Sequence, residues 1–280
     1  MTDETIYSAA PELRQPGRLF AAAGEDLRRS GAVAWQLFRR NLQARYRRAW
    51  LGYLWLLLPT VGTTLVWVYV HATQVVRIAP TAMAYPVYVL AGTVLWQVFV
   101  DALNAPLQQF TAGRQMITRS RVPHEALVLS GLLEVLFNTL PRLLVLAAAI
   151  PLFGERIAWT VVLVPAGVAA LALFGTMLGL FLAPVGLLYD DVGRGVLLVT
   201  GLWFFLTPVI YPVPARGHAS LLVRLNPVTP LIDTTRGWLT SGTASVHAGF
   251  APVVAVTIPL LALAWLFHRL ARPHVIARLG

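Results

Sequence analysis

Apolar runs long enough to cross a bilayer recur from Trp50 almost to the last residue, and no other feature constrains this chain as strongly. A helix needs about 20 predominantly apolar residues to traverse roughly 30 Å of hydrocarbon. Six such segments can be read, over 50–73, 84–107, 126–152, 158–188, 195–212 and 250–269. Only 12% of the 280 residues are charged, about half the share found in a soluble domain. The sequence therefore predicts an all-α integral membrane protein with six transmembrane helices, and it excludes a soluble enzyme. The fourth segment contains Pro165 and Pro184, and the fifth runs into a proline-rich stretch from Thr207 to Pro214.

The chain divides into a polar cytoplasmic tail over 1–24, an amphipathic interface helix over 25–48 and a six-span domain over 49–280. In 25–48 Leu27, Val33, Ala34, Leu37, Phe38 and Leu42 recur at helical spacing, with arginines on the other faces. That pattern suits a helix lying in the membrane interface. A solvated basic tail is the weaker reading, because it would leave Trp35 and Phe38 in water. No short apolar core with a cleavage site precedes this segment, so no signal peptide is expected.

Charge sets the orientation. Of the 22 arginines, sixteen lie on the inner side if the amino terminus is cytoplasmic, five lie outside, and Arg142 lies within the third span. Loops rich in arginine stay on the cytoplasmic side, so both termini are expected there. Between spans five and six, residues 214–249 are too apolar for a solvated connector, while Pro227, Pro230 and Gly237 forbid one continuous helix. Two short re-entrant helices on the outer side satisfy both facts, and such backbone must be buried in protein or face a water-filled path.

Two absences remove whole classes of chemistry. There is no cysteine, hence no disulfide, thiolate metal site or cysteine nucleophile. There is no lysine either, so these residues hold neither a Walker A loop nor a Schiff-base cofactor. The net charge of +10 sits beside apolar spans, which speaks for a membrane surface rather than nucleic acid. No HExxH, GxSxG or GxGxxG is present, and neither a catalytic nor a metal site is expected. The adjacent Asp190 and Asp191 leave one enzymatic alternative, a membrane-embedded glycosyl or prenyl transferase. Neighbouring side chains on a helix diverge, which weakens that reading.

Polar residues do occur inside the spans. Gln97, Asp101, Asn104 and Gln108 share one broad face of span two, and Glu134, Asn138 and Arg142 follow at steps of four in span three. Ionisable groups at that depth face protein or a hydrated cavity. Interhelical pairing, of Asp101 or Glu134 with Arg142, is the favoured reading over a pore wall or proton relay. Aromatic residues cluster at Tyr46, Trp50, Tyr53 and Trp55, at Trp96 and Phe99, and at Trp203, Phe204 and Phe205. Those near span ends suit the membrane interface. Trp96 and the 203–205 run lie deeper, where either core packing or contact with a sliding sugar chain accounts for them.

The run from Arg45 to Pro59, with Arg45-Tyr46-Arg47-Arg48 leading into Leu51-Gly52, Trp55 and Pro59, resembles the entry to the first span of type-2 ABC exporter permeases. The branch it most resembles exports O-antigen, capsule, galactan or teichoic-acid polymers. Leu90-Ala91-Gly92 with Trp96 resembles the second span of that family, and Gln115 to Glu125 resembles its cytoplasmic coupling segment. Asn226-Pro227-Val228-Thr229-Pro230 with Arg236 resembles its outer re-entrant region. His124 departs from an arginine frequent in the family, and arginine replaces a common lysine in the coupling segment.

The resemblance implies the permease subunit of an ATP-driven exporter moving a lipid-linked polysaccharide across the bacterial inner membrane. It implies a homodimer with two copies of a cytoplasmic ATP-binding subunit, which carries ATP and Mg, while this chain carries no cofactor. It places coupling in 112–125, with Arg114, Thr118, Arg119, Arg121, Pro123, His124 and Glu125 as candidates. Arg45, Arg47 and Arg48 become candidates for a pyrophosphate headgroup. Tyr46, Trp50, Tyr53, Trp55, Trp96, Phe99, Trp203, Phe204 and Phe205 become candidates for the substrate path, with Trp203 the first choice. A permease for a smaller lipid or drug shares the same plan. A secondary carrier is disfavoured by the lack of recognisable internal repeats.

Overall fold

The computed structural model describes residues 30–44, 54–76, 78–113, 123–213 and 218–279. Among them every regular element is helical. In chain order these are α1 (30–44), α2 (Leu54–Ala72), α3 (Tyr85–Ala112) and α4 (His124–Leu152). A 3-10 turn (Trp159–Leu163) runs into α5 (Val164–Leu188), followed by α6 (Asp191–Leu206), α7 (His218–Leu225), α8 (Val228–Thr240) and α9 (Phe250–Leu279). Five segments are long and apolar enough to cross a membrane: α2, α3, α4, the 3-10 turn with α5, and α9 through Ala271.

The expected fifth span is where the structure departs from the sequence reading. Helix α6 covers 16 residues, about 24 Å at the usual rise, and stops six residues earlier than expected. Thr207 is extended, with φ −104° and ψ 137°, as the ring of Pro208 requires of the residue before it. Thr207, Pro208, Val209 and Ile210 continue as buried turns instead. At the other end of the chain, α9 runs on past 269 as helix to Leu279.

Helix α3 is the hub. Val87, Val89, Ala91, Val94, Val98, Phe99, Ala102 and Phe110 are wholly or almost wholly buried along it. Helices α2, α4, α5, α6 and α8 all pack on it. The approach of α5 is set by Gly175 and Gly179, one turn apart. A Cβ at the first would press on the Phe99 carbonyl oxygen, and one at the second on that of Leu103. Small residues at this spacing let two helix backbones meet within the bilayer.

Helix α9 lies against α5. Helix α2 is attached more loosely: only Thr60 and Thr64 are buried, and Thr64 meets Thr93 of α3 at 3.3 Å between hydroxyls. Helix α1 buries Ser30, Ala34, Leu37 and Phe38, and the Phe38 ring meets that of Phe137 on α4. Trp35, one turn before Phe38 with its ring 5.4 Å away, remains 52% exposed, so this chain covers only one of these two aromatics on α1.

Two short helices, α7 and α8, occupy the segment between α6 and α9. Leu221, Leu222 and Leu225 leave α7 largely exposed, whereas Val228, Leu231, Ile232, Trp238 and Leu239 bury α8. Helix α8 is stitched to the start of the α5 segment. Thr160 Oγ1 donates to the Trp238 carbonyl at 2.8 Å, and the Ala158 N–H donates to that of Leu239 at 3.0 Å.

Candidate functional site

Among the described residues, the broken end of α6 carries a dense polar construction. Helix-ending prolines strip a backbone of its regular hydrogen bonds, and buried carbonyls must then find other donors. Here the donors come from two helices and from the junction between α7 and α8. Tyr85 and Tyr88 of α3 donate to the carbonyls of Ile210 and Tyr211, each at 3.1 Å. Arg236 of α8 donates to those of Pro208 at 3.1 Å and Val209 at 3.3 Å. Asn226, at the α7–α8 junction, donates to Thr207 Oγ1 at 2.8 Å and accepts from Trp203 Nε1 at 3.1 Å and from the Val228 N–H at 3.0 Å.

The space for this packing comes from Gly92, where any Cβ would collide with the Val209 carbonyl. The Arg236 guanidinium lies 3.7 Å from the Tyr88 ring centroid and also pairs with Asp233. Burial pushes the Asp233 carboxyl up from its ordinary range, and the Arg236 charge opposes that shift.

Beside this break sits an aromatic cluster. Phe99 meets Trp203 edge-on at 5.2 Å between ring centroids, and Trp96 meets Phe204 at 5.8 Å and Trp203 at 6.4 Å. Phe99 is completely buried and Trp96 is 4% exposed. Both rings, path candidates from the sequence, are enclosed by α3's neighbours. Trp203 and Phe204 are half-buried in the same cluster, and the Trp203 indole N–H is engaged by Asn226. Phe205 is the ring of the three that points outward, at 57% exposed. Trp55 on α2 is similarly open.

The intramembrane polar residues divide into two groups. Arg142 Nη1 lies 2.6 Å from Asp101 Oδ2, joining α4 to α3. Glu134 belongs to a separate knot. Its Oε1 accepts from Gln109 Nε2 at 2.7 Å and from Asn41 Nδ2 at 2.9 Å, and Asn41 also donates to Gln109 Oε1 at 3.1 Å. Asn138 is buried on the same face of α4 as Glu134 and Arg142.

Asn41 and Gln109 were not among the residues singled out from sequence. The available signal was register: Ala34, Phe38 and Asn41 follow at steps of four and three, so the asparagine extends the apolar stripe of α1.

At the start of α4, His124 and Glu125 are buried. The Phe110 ring and two imidazoles meet in a triangle: Phe110 is stacked on His268 at 4.3 Å and edge-on to His124 at 6.0 Å, and the imidazoles are 6.2 Å apart. Arg269 Nη1 is 3.8 Å from Glu125 Oε1. The end of the 112–125 segment thus packs against the far part of α9, with Pro123 as the residue preceding α4. Asp190 and Asp191 are exposed where α5 turns into α6, and Asp191 pairs with Arg194 at 3.1 Å. Among the described residues no group of three His, Cys, Asp or Glu is placed to hold a metal. The candidates Arg45, Tyr46, Arg47, Arg48, Trp50, Tyr53, Arg114, Thr118, Arg119 and Arg121 lie outside the described residues.

Bilayer-length helices around a buried centre, with one helix broken inside the fold and its backbone held by side chains, define a multi-pass membrane protein. The chain belongs to the ABC-2 type transporter family, whose profile matches residues 33–239. It is a membrane subunit of the kind that works with an ATP-binding partner.

Among curated relatives, an O-antigen export system permease protein RfbA from Myxococcus xanthus is 31% identical over 204 residues, covering 71% of this chain and 76% of the relative. A protein of the same name from Klebsiella pneumoniae is 23% identical over 211 residues, covering 73% and 78%.

Proposed function

We propose that this chain is the permease subunit of an ATP-driven exporter that carries a lipid-linked, O-antigen-like glycan across the bacterial inner membrane. The observation that carries this reading is that relatives spanning about three quarters of their own length share the name O-antigen export system permease. The working unit is a homodimer with two cytoplasmic ATP-binding subunits, and both termini of the permease lie in the cytoplasm. ATP and Mg belong to the partner, since a sequence without lysine has no Walker A loop of its own.

In this assignment α6, α7 and α8 form the outer end, and 112–125 is the segment on which the partner pushes. Motion there reaches the bundle through His124 and Glu125, which pack on α9. Arg45, Arg47 and Arg48 meet the pyrophosphate of the lipid carrier. Tyr46, Trp50, Tyr53, Trp55 and Phe205 offer ring faces to the sugar chain. Apolar faces with few donors let a polymer slide without holding it.

Deleting the gene and comparing surface glycan with cytoplasmic lipid-linked glycan tests the reading. Loss of the first with accumulation of the second, reversed by the intact gene, is the expected result. Unchanged surface glycan overturns it. Asp190→Ala with Asp191→Ala separates transport from a transferase, which loses all turnover on losing both carboxylates.

A further inference from the structure

Along the body of α3, between its first and last turns, all but five residues are buried. The five are Gln97, Val100, Asp101, Asn104 and Gln108. Their spacing of three, four, seven and eleven from Gln97 places them on a single face. Four of the five are polar, whereas the buried remainder of the helix is almost wholly apolar.

A helix face that meets lipid looks different. Along the middle of α4 the fully exposed positions are Leu136, Leu140 and Leu144, the last 71% exposed, whereas on the α3 face Gln108 is exposed and the other four are partly so. In hydrocarbon an amide or carboxylate is costly, so an open polar face within a span meets water or a polar ligand.

A second, independent feature belongs to the same place. Arg142 is 4% exposed, its Nη1 reaches Asp101 on this face, and its Nε has no hydrogen-bond partner. A buried guanidinium N–H without a protein acceptor is completed by water or by a ligand oxygen. Asp101 itself keeps 27% of its side chain accessible, so the ion pair stands at the edge of the open face.

We propose that the Gln97–Asp101–Asn104–Gln108 face of α3 is a hydrated wall inside the membrane, and that these side chains exchange hydrogen bonds with the hydroxyls of a passing glycan. Amides and a carboxylate accept from and donate to hydroxyls of any sugar, so the wall recognises polyol character without reading sequence. Arg142 is a positioning residue here, holding Asp101 at the edge. The glycan half of this proposal rests on the export reading above; the hydration half does not.

The chain contains no cysteine, which allows a direct test. Gln97→Cys, Asn104→Cys and Gln108→Cys are made singly in the full chain, assembled with its ATP-binding partner in vesicles. Each is treated with a charged, membrane-impermeant methanethiosulfonate, which reacts with thiolate and hence with thiols in water. Leu144→Cys on the apolar face of α4 is the reference.

Labelling of the three α3 positions about tenfold or more faster than Leu144→Cys is expected. Labelling slowed severalfold when lipid-linked glycan is arrested in the transporter is also expected. Rates no faster than the reference overturn the wall. So does spontaneous disulfide formation between two copies at Asn104→Cys, which marks a dry subunit contact. Fast labelling without glycan protection, in a transporter that does export glycan, overturns the glycan contact. If glycan export itself is absent, the failure lies with the export reading, and the labelling rates still decide whether the wall is wet.

Discussion

Arg236 Nη1 donates to the carbonyl oxygen of Pro208 at 3.1 Å, so a cation on α8 replaces a hydrogen bond that the proline-broken α6 cannot make. The same guanidinium covers the Tyr88 ring and pairs with Asp233. One side chain thereby fixes the irregular end of α6 to both the central helix and the α7–α8 pair. If the outer end opens during transport, Gly92, Arg236 and Asn226 mark the contacts that must move together or part.

Removing Arg236 leaves Asp233 buried without its counter-charge. Breaking a buried pair from one side costs about 3–5 kcal/mol in soluble proteins, and Arg236→Ala is expected to lower the melting temperature of the detergent-solubilised subunit accordingly. The loss depends on pH with a definite sign. Burial raises the Asp233 pKa and Arg236 lowers it, so the variant has a still higher folded-state value. A carboxyl raised on folding favours the folded state at low pH, and that benefit disappears as pH rises from the unfolded value through the folded one. Arg236→Ala should therefore recover stability relative to wild type on acidification, and Asp233→Asn in the same background should flatten the dependence. Melting curves at several pH values decide it.

The Asp101–Arg142 pair should respond asymmetrically. Arg142 is nearly enclosed while Asp101 keeps access to the open face. Asp101→Leu strands the arginine and is expected to cost more, on the order of 3–5 kcal/mol. Arg142→Leu leaves a carboxylate that still touches the open face, and should cost less. The double leucine variant should be more stable than Asp101→Leu alone, measured as thermal unfolding of the solubilised protein.

Gly179→Ala places a methyl group against the Leu103 backbone, which cannot step aside as a side chain can. Overpacking of this sort costs about 1–3 kcal/mol or more. Gly201→Ala on α6 meets nothing within 4 Å, and its greater helix propensity should stabilise by up to about 1 kcal/mol. Opposite shifts in melting temperature are the expected outcome.

The two tryptophan and phenylalanine truncations on α6 should separate packing from contact. Trp203→Ala removes ring contacts with Trp96 and Phe99 and the bond to Asn226. Truncating buried aromatics costs about 3–5 kcal/mol in soluble cores, and a loss of that order, scaled down for half-burial, is expected. Phe205→Ala should leave stability near wild type while reducing export of long polymer. Stability and export measured on the same preparations test both.

Hydropathy alone revealed most of the helices, because bilayer thickness dictates run length. Helix α2 stops, and α3, α4 and the 3-10 turn with α5 start and stop, within a few residues of the sequence expectation, apart from the extra turn at the end of α3. The pair α7 and α8 was also legible, since Pro227 and Pro230 sit in an apolar stretch that no single helix can contain.

The early end of α6 was signalled by Pro208, but the apolar run through Val209 and Ile210 masked it. Hydropathy does not distinguish a helix from a buried turn. The burial of Trp96 and Phe99 was not legible, because in a membrane protein rings that face lipid, path or core share the same spacing. The knot of Asn41, Gln109 and Glu134 joins three elements far apart in sequence, and only the tertiary arrangement brings them together.

Reconstitution is the measurement that bears most directly on the central claim. The purified chain, with and without its ATP-binding partner, is placed in vesicles carrying lipid-linked glycan on the partner's side. Neither ATP hydrolysis nor glycan translocation is expected from the chain alone, and both are expected when the partner and Mg-ATP are present. Nucleotide hydrolysis by the contaminant-free chain, or glycan translocation that proceeds without the partner, would contradict it.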